Sequence, residues 1–354
     1  MHATHAQRRD KVRACMRARG LDAFIVSRDA NRFYLSGFEL HDAQCNESSG
    51  RLLLTAEGDD WLCTDPRFLD AARRLWPEER IYIYRGDGLR EMAAFMRGKA
   101  AGRVGVEPCL AWDAMRVLGE RLNLAPVEGL VESCRIIKDA REIAALRASC
   151  ALNHQLMHWL GDNLEDGQSE AAISWNIEKF FREHGASELA FPNIVAVGEN
   201  AALPHCIPGD TPLAGEVPLL VDVGARLDGY CSDQTRTFWW GKRPTPAFTL
   251  TQQLVHDAQE AAIAALAPGK TCAEIYQVAR KVFEDAGVAS AFTHGLGHGV
   301  GLETHEAPSL SSRCHTVLAP GMVVTVEPGL YYPEWGGVRR EYMLLVTEGG
   351  AEIL

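Results

Sequence analysis

The chain has 354 residues, enough for two domains, and its 47% hydrophobic and 23% charged residues are those of a globular protein. No apolar run reaches the ~18 residues of a membrane-spanning helix, and the charged N-terminus (MHATHAQRRDKVRACMRARG) has no apolar secretion-signal core. The net charge of −11, from 36 basic and 47 acidic residues, gives no electrostatic footprint for nucleic acid or an anionic membrane.

Ten cysteines (15, 45, 63, 109, 134, 150, 206, 231, 272 and 314) form no CxxC pair. Without a secretion signal they read as reduced and mostly buried, which points to the cytoplasm.

Residues 1 to about 130 alternate helical and extended patterns. Lys11 to Gly20 reads as a polar helix, and Asp22 to Ser27 as an apolar strand. Arg51–Leu54, Trp61–Thr64 and Ile81–Tyr84 are further strands; Leu89–Arg97 and Trp112–Leu122 are helices, followed by a loop around Pro126. This alternation predicts an α/β layer domain over 1–132. A linker near Val131–Ile137 then opens a second domain, 138–354, where Asp139 and Glu142 have the spacing of a helix-capping box.

The second domain carries an internal repeat. A shift of 102 residues lays Leu164–Ser169 on Leu266–Thr271, Ile173 on Ile275, Phe181 on Phe283 and Gly185 on Gly287. Thr271 and Glu274 form another capping box, and the two glycines suit helix ends. Duplication of a helix–helix–sheet half would set a site between the repeats.

Each half ends in a strand pair bearing acids. Leu219–Thr237 reads as two strands with a turn near Leu227–Gly229. A turn centred between Leu227 and Asp228 makes residues whose numbers sum to 455 face each other, so Asp222 would oppose Asp233. Two carboxylates so placed call for a cation; a register differing by one would send Asp233 to solvent. The second half returns through Pro333–Gly337, and leaves Glu327 and Glu341 on neighbouring strands. An acid in an apolar strand is costly to bury without a partner. Between the pairs, His294, His298 and His305 lie among glycines at 295, 297, 299 and 301, which clear one side of the chain for a close approach. Four carboxylates and an imidazole without thiolates suit Mn²⁺, Co²⁺, Fe²⁺ or Zn²⁺. Two such ions would balance the charge and could activate water against a carbonyl. No G-x-S-x-G and no phosphate-binding loop is present.

The motifs D-x-G, S-D-x-T-R-T, H-G-x-G-H-G-x-G-L-x-x-H-E, V-E-P-G and G-V-R-x-E together resemble the pita-bread (creatinase/aminopeptidase P-like, M24) metallopeptidases, and most of all Xaa-Pro dipeptidases (prolidases) and Xaa-Pro aminopeptidases. The resemblance implies an α/β creatinase-like N-terminal domain, marked by Asn31-Arg-Phe-Tyr34-Leu-Ser-Gly37. It implies an α+β pita-bread catalytic domain with pseudo-two-fold repeat over 138–354. Asp222, Asp233, His298, Glu327 and Glu341 would be the ligands of two divalent ions, Mn²⁺ first among them, with Asp233 and Glu341 bridging. Glu327 would double as the acid/base. His205 would touch substrate, His305 the scissile peptide or tetrahedral intermediate, and His294 the pocket. Arg339 would support the substrate site. Arg313 would engage a substrate carboxylate, or be a plain surface charge. One departure stands out: Tyr342 follows Glu341 where the family usually has Asp.

The resemblance thus implies a cytoplasmic homodimer that cleaves Xaa-Pro bonds in dipeptides or short peptides, with the dipeptidase favoured over aminopeptidase P. The alternatives are a hydrolase or lyase of the same fold acting on a non-peptide small molecule, and a non-catalytic binding module, against which the complete ligand set argues.

Overall fold

The computed structural model describes residues 2–42, 48–100 and 102–354; Cys45 lies outside them. The chain divides into two compact units, Met1–Arg135 and Ile136–Leu354. The segment read as a linker holds a short helix, Glu132–Arg135.

In the first unit six strands form one mixed sheet. They are β1 (Ala23–Val26), β2 (Arg51–Thr55), β3 (Trp61–Thr64), β4 (Ile81–Ile83), β5 (Arg103–Val106) and β6 (Asn123–Pro126), in spatial order β4-β3-β2-β1-β5-β6. The helices are α1 (His2–Ala18), α2 (Asp29–Ser36), α3 (Leu69–Leu75), α4 (Gly88–Lys99), α5 (Trp112–Gly119) and α6 (Glu132–Arg135). The stretch around Pro126, read as a loop, is the edge strand β6, where proline's missing N–H costs no ladder bond. The nine described cysteines are unbonded; five of them are buried and Cys109 is exposed.

The second unit is built twice. Its first half has α7 (Ala140–Asn163), α8 (Glu170–Glu183), β7 (Glu188–Leu189), β8 (Ile194–Val197), β9 (Val217–Val223), β10 (Ala225–Leu227), β11 (Tyr230–Cys231) and β12 (Gln234–Trp240). The second has α9 (Pro246–Ala265), α10 (Cys272–Asp285), β13 (Gly297–Gly299), β14 (Glu306–Leu310), β15 (Val323–Val326), β16 (Gly329–Tyr332), β17 (Gly336–Arg339), β18 (Tyr342–Thr347) and β19 (Gly350–Ile353). Helices α8 and α10 start and stop 102 residues apart, as the repeat predicts. Both capping boxes form, at Asp139/Glu142 and Thr271/Glu274.

Strand periodicity decides which face carries chemistry. Leu219, Val221 and Val223 of β9 face Leu156, Ile177 and Phe181 of α7 and α8. Val324, Val326, Leu344 and Val346 of β15 and β18 face Val255, Ile275 and Phe283 of α9 and α10. Side chains alternate across a strand, so Asp222, Glu327 and Glu341 sit on the faces turned away from the helices.

Candidate metal centre

The first hairpin turns at Asp228 and Gly229, both with positive φ (50° and 85°), which fixes a two-residue turn. This shifts the pairing from the predicted one. Leu227 faces Tyr230 and Asp222 faces Thr235, a sum of 457. The slip is two residues, so Asp233 keeps its face and lies diagonal to Asp222. In the second hairpin Val326 faces Tyr342 and Gly329 faces Arg339, pairs that both sum to 668. Glu327 and Glu341, which also sum to 668, stand opposite in the gap between those ladders. Both hairpins are interrupted beside their acids.

These interruptions bring six predicted residues together. Single ligand atoms of Asp222, Asp233 and Glu341 lie within 4.8 Å of one another, as do those of His298, Glu327 and Glu341, and of Asp233, His298 and His305. His298 Nε2 is 3.3 Å from Glu327 Oε1 and 3.6 Å from Asp233 Oδ2. Its Nδ1 meets the Gly299 carbonyl at 3.1 Å, so a neutral ring donates from Nδ1 and aims the Nε2 lone pair at two carboxylates. Either a proton on Nε2 or a cation between them satisfies that geometry. Asp222 Oδ1 is buried with no hydrogen-bond partner among the described residues.

The electrostatics agree. Burial first, then the charges of Glu341, Asp222 and Glu327, push the Asp233 carboxyl well above the usual carboxylate range. Burial, then Glu327 and Asp222, does the same to Glu341. Burial also works to raise Glu327, but the hydrogen bond and charge of His298, aided by His294 and Arg339, outweigh it and hold Glu327 low. Burial works to lower His298, and the bond from Glu327 reverses that. Without a cation this cluster must keep protons; divalent ions do the same work, and the all-oxygen-plus-imidazole set fits them.

The glycines do permit a close approach, and neighbouring strands make it. A Cβ on Gly297 would sit 2.0 Å from the Thr325 carbonyl, and one on Gly299 2.3 Å from that of Ala307. The side cleared by the glycines is therefore filled by neighbouring strands, not by a ligand, and this close packing aims His298 the other way.

Arg339, grouped with the substrate-facing residues on resemblance, is enclosed (3% exposed). Its guanidinium donates to Asp222 Oδ2 (2.6 Å), the Tyr331 hydroxyl (3.0 Å) and Thr235 Oγ1 (3.1 Å). These bonds orient Asp222 and tie the guanidinium to Tyr331 and Thr235. Tyr331 Oη also meets His294 Nε2 at 2.8 Å. Thr235 donates to Glu341 at 2.7 Å and Thr325 to Glu327 at 3.2 Å. Tyr331 and these threonines were not legible in the sequence; only Thr235, inside S-D-x-T-R-T, carried a signal. His305 is exposed, with its ring 4.1 Å from that of His298. His205 is exposed and close enough for its charge to lower both His294 and His305, each shifted mainly by burial. Arg313 is exposed in the turn between β14 and β15, with no side-chain partner among the described residues. Tyr342 places its ring 4.1 Å from the Arg236 guanidinium, so a cation–π contact stands where an acid would make an ion pair.

Residues 144–348, more than half of the chain, match metallopeptidase family M24. The chain belongs to that family. Residues 8–137 of this M24 metallopeptidase match the creatinase/prolidase N-terminal domain. It is 29% identical to a Xaa-Pro dipeptidase of Pyrococcus furiosus over 352 residues, 98% of this chain and 97% of the relative. Among solved structures, a Xaa-Pro dipeptidase from Bacillus anthracis has a TM-score of 0.91 at 30% identity, covering 99% and 97% of the two chains. An X-Pro aminopeptidase from Thermotoga maritima has a TM-score of 0.83 at 28% identity, covering 96% and 97%. The pita-bread fold with its creatinase-type N-terminal domain is thus shared across the whole chain. No helix among the described residues is long and apolar enough to cross a membrane.

Proposed function

We propose that this M24 metallopeptidase is an Xaa-Pro dipeptidase in which Asp222, Asp233, His298, Glu327 and Glu341 hold two divalent ions, Mn²⁺ before Co²⁺, Zn²⁺ or Fe²⁺. We further assign it to the cytoplasm, as a homodimer acting on short proline-containing peptides. The convergence of four carboxylates and one imidazole, with a lone pair aimed between acids, carries this reading. The dipeptidases named above, matched over nearly their full length, support the substrate class.

Bound divalent ions supply Lewis acidity, which polarises a peptide carbonyl and makes water nucleophilic at neutral pH. The chain's own residues do the rest. Glu327, kept ionised by His298, accepts a proton as water adds to the carbonyl carbon of the first residue. It delivers that proton to the proline nitrogen as the C–N bond breaks, releasing the first amino acid and proline. His305, whose pKa burial lowers, is a neutral ring able to donate one N–H to the carbonyl oxygen. His205 and His294 line the substrate side, and Arg313 is the group offered to the dipeptide carboxylate.

The test is amino-acid release from Ala-Pro and Ala-Pro-Ala, after EDTA and again with Mn²⁺ restored. Metal-dependent cleavage of Ala-Pro alone is expected. Release of Ala and Pro-Ala from the tripeptide would make it an aminopeptidase, and failure on both with two metals bound would move the substrate outside peptides.

His305 also lies within ligand distance of Asp233 and His298, so its role needs its own check. His305→Ala should lower kcat by about 10²–10³, the worth of one oxyanion donor, with metal content still near two per chain. Metal lost from that variant would make His305 a ligand instead.

A further inference from the structure

Glu170 opens α8 and is almost completely buried (1% exposed), with no ion-pair partner among the described residues. A carboxylate in that position is costly unless its oxygens are satisfied. They are, by one stretch of chain. Oε1 accepts from the Val197 amide and from Asn200 Nδ2, both at 2.8 Å, and Oε2 accepts from the Gly209 amide at 3.0 Å. The same Asn200 amide also reaches Thr211 Oγ1 at 3.0 Å. One side chain therefore clasps both ends of the segment between Val197 and Gly209, and His205 lies inside it.

The internal repeat supplies a control. The residue 102 positions on is Cys272, fully buried, at the start of α10. The backbone joins there are the same. Glu170 N and Ala171 N donate to Thr211 O (3.1 Å) and Gly209 O (2.9 Å), while Cys272 N and Ala273 N donate to Thr316 O (3.0 Å) and Cys314 O (2.9 Å). The fold thus makes this helix-to-loop junction without any carboxylate. The second-half segment also carries an exposed histidine, His305, but there the strand β14 pairs with β13 and holds the chain. Residues 203–209 of the first half form no strand, and His205, beside His294 and His305, is flanked by the exposed Leu203 and Ile207.

We infer that Glu170 is a positioning residue for substrate binding: its buried carboxylate fixes the Val197–Gly209 segment so that His205 meets the substrate. This rests on the reading of His205 as a substrate contact. Groups that orient metal ligands through hydrogen bonds are worth about 10–100-fold when removed, which sets the scale for a group orienting a substrate-contacting histidine.

The test is a double-mutant cycle in the metal-loaded enzyme with Ala-Pro as substrate. Glu170→Gln is nearly isosteric and keeps one acceptor oxygen, and Glu170→Ala removes the clasp. Glu170→Gln should lower kcat/KM about tenfold with metal content unchanged, and should have almost no further effect in a His205→Ala background. An equal loss in both backgrounds, or none in either, overturns the inference. Amide hydrogen exchange over 198–209 in the metal-free protein gives a readout independent of activity. Exchange there should rise in Glu170→Ala and Glu170→Gln while the core of α8 stays protected. If the wild type fails to cleave Ala-Pro, the peptidase reading has failed. Unchanged exchange in both variants would then overturn the clasp by itself.

Discussion

Replacing Asp233 or Glu341 by Ala should abolish two-metal loading and cut Ala-Pro hydrolysis by about a thousandfold or more, the rate equivalent of several kcal/mol of lost transition-state stabilisation. Each of these carboxylates belongs to two of the close ligand groups or faces both neighbouring acids, so neither can be removed without opening both halves of the cluster. The sign of the stability change separates this from a simple folding defect. In the metal-free wild type, burial and like charges work against Asp233 and Glu341 as carboxylates. Taking one away relieves that repulsion, so each metal-free variant should melt at or above the metal-free wild type. Added Mn²⁺ should raise the melting temperature of the wild type by mass action and leave the variants nearly unmoved. Elemental analysis and melting curves with and without Mn²⁺ check both parts. Two metals per chain and intact turnover in either variant would remove the dinuclear site.

Much of this arrangement was legible because the residues involved obey local rules. The capping boxes at Asp139 and Thr271 need only a spacing of three, and the helix pair of each half repeats at a fixed offset. The acids stood out as charges inside apolar strands, where burial has to be compensated. The exact pairing was not legible. Whether the first hairpin turned at Leu227–Asp228 or Asp228–Gly229 depended on two residues accepting positive φ, and the even slip preserved the face while changing the partner. The alternating glycines pointed correctly to close approach but not to what approaches, since Thr325 and Ala307 come from elsewhere in the sequence. Tyr331, which joins His294 to Arg339, sits in an ordinary Gly-Leu-Tyr-Tyr strand. Nothing in the sequence marked Glu170, because its three donors come from a segment 27–39 residues away.

The same kind of distant pairing fixes the start of β14 beside His305, and breaking it should be strongly destabilising. Lys138 Nζ meets Glu306 Oε1 at 2.5 Å, with side-chain exposures of 1% and 6%. Glu306 directly follows His305 and begins β14, and Lys138 sits just before the cap of α7, its own amide bonded to the Gly321 carbonyl. Gly301 leaves the room: a Cβ there would lie 2.4 Å from Glu306 Oε1. Lys138→Met keeps the volume of the stem but takes the cation from a buried carboxylate, which costs about 3–5 kcal/mol and should lower the melting temperature of this unit by roughly 10 °C. Turnover should fall as well, since His305 loses its anchor. Lys138→Met with Glu306→Gln removes both charges, and most of the lost stability should return, because the penalty lies in the stranded charge rather than in the missing contact. Melting curves of the two variants decide this. A Lys138→Met protein that melts like the wild type would show that the pair is screened by water and that His305 is held by β14 alone.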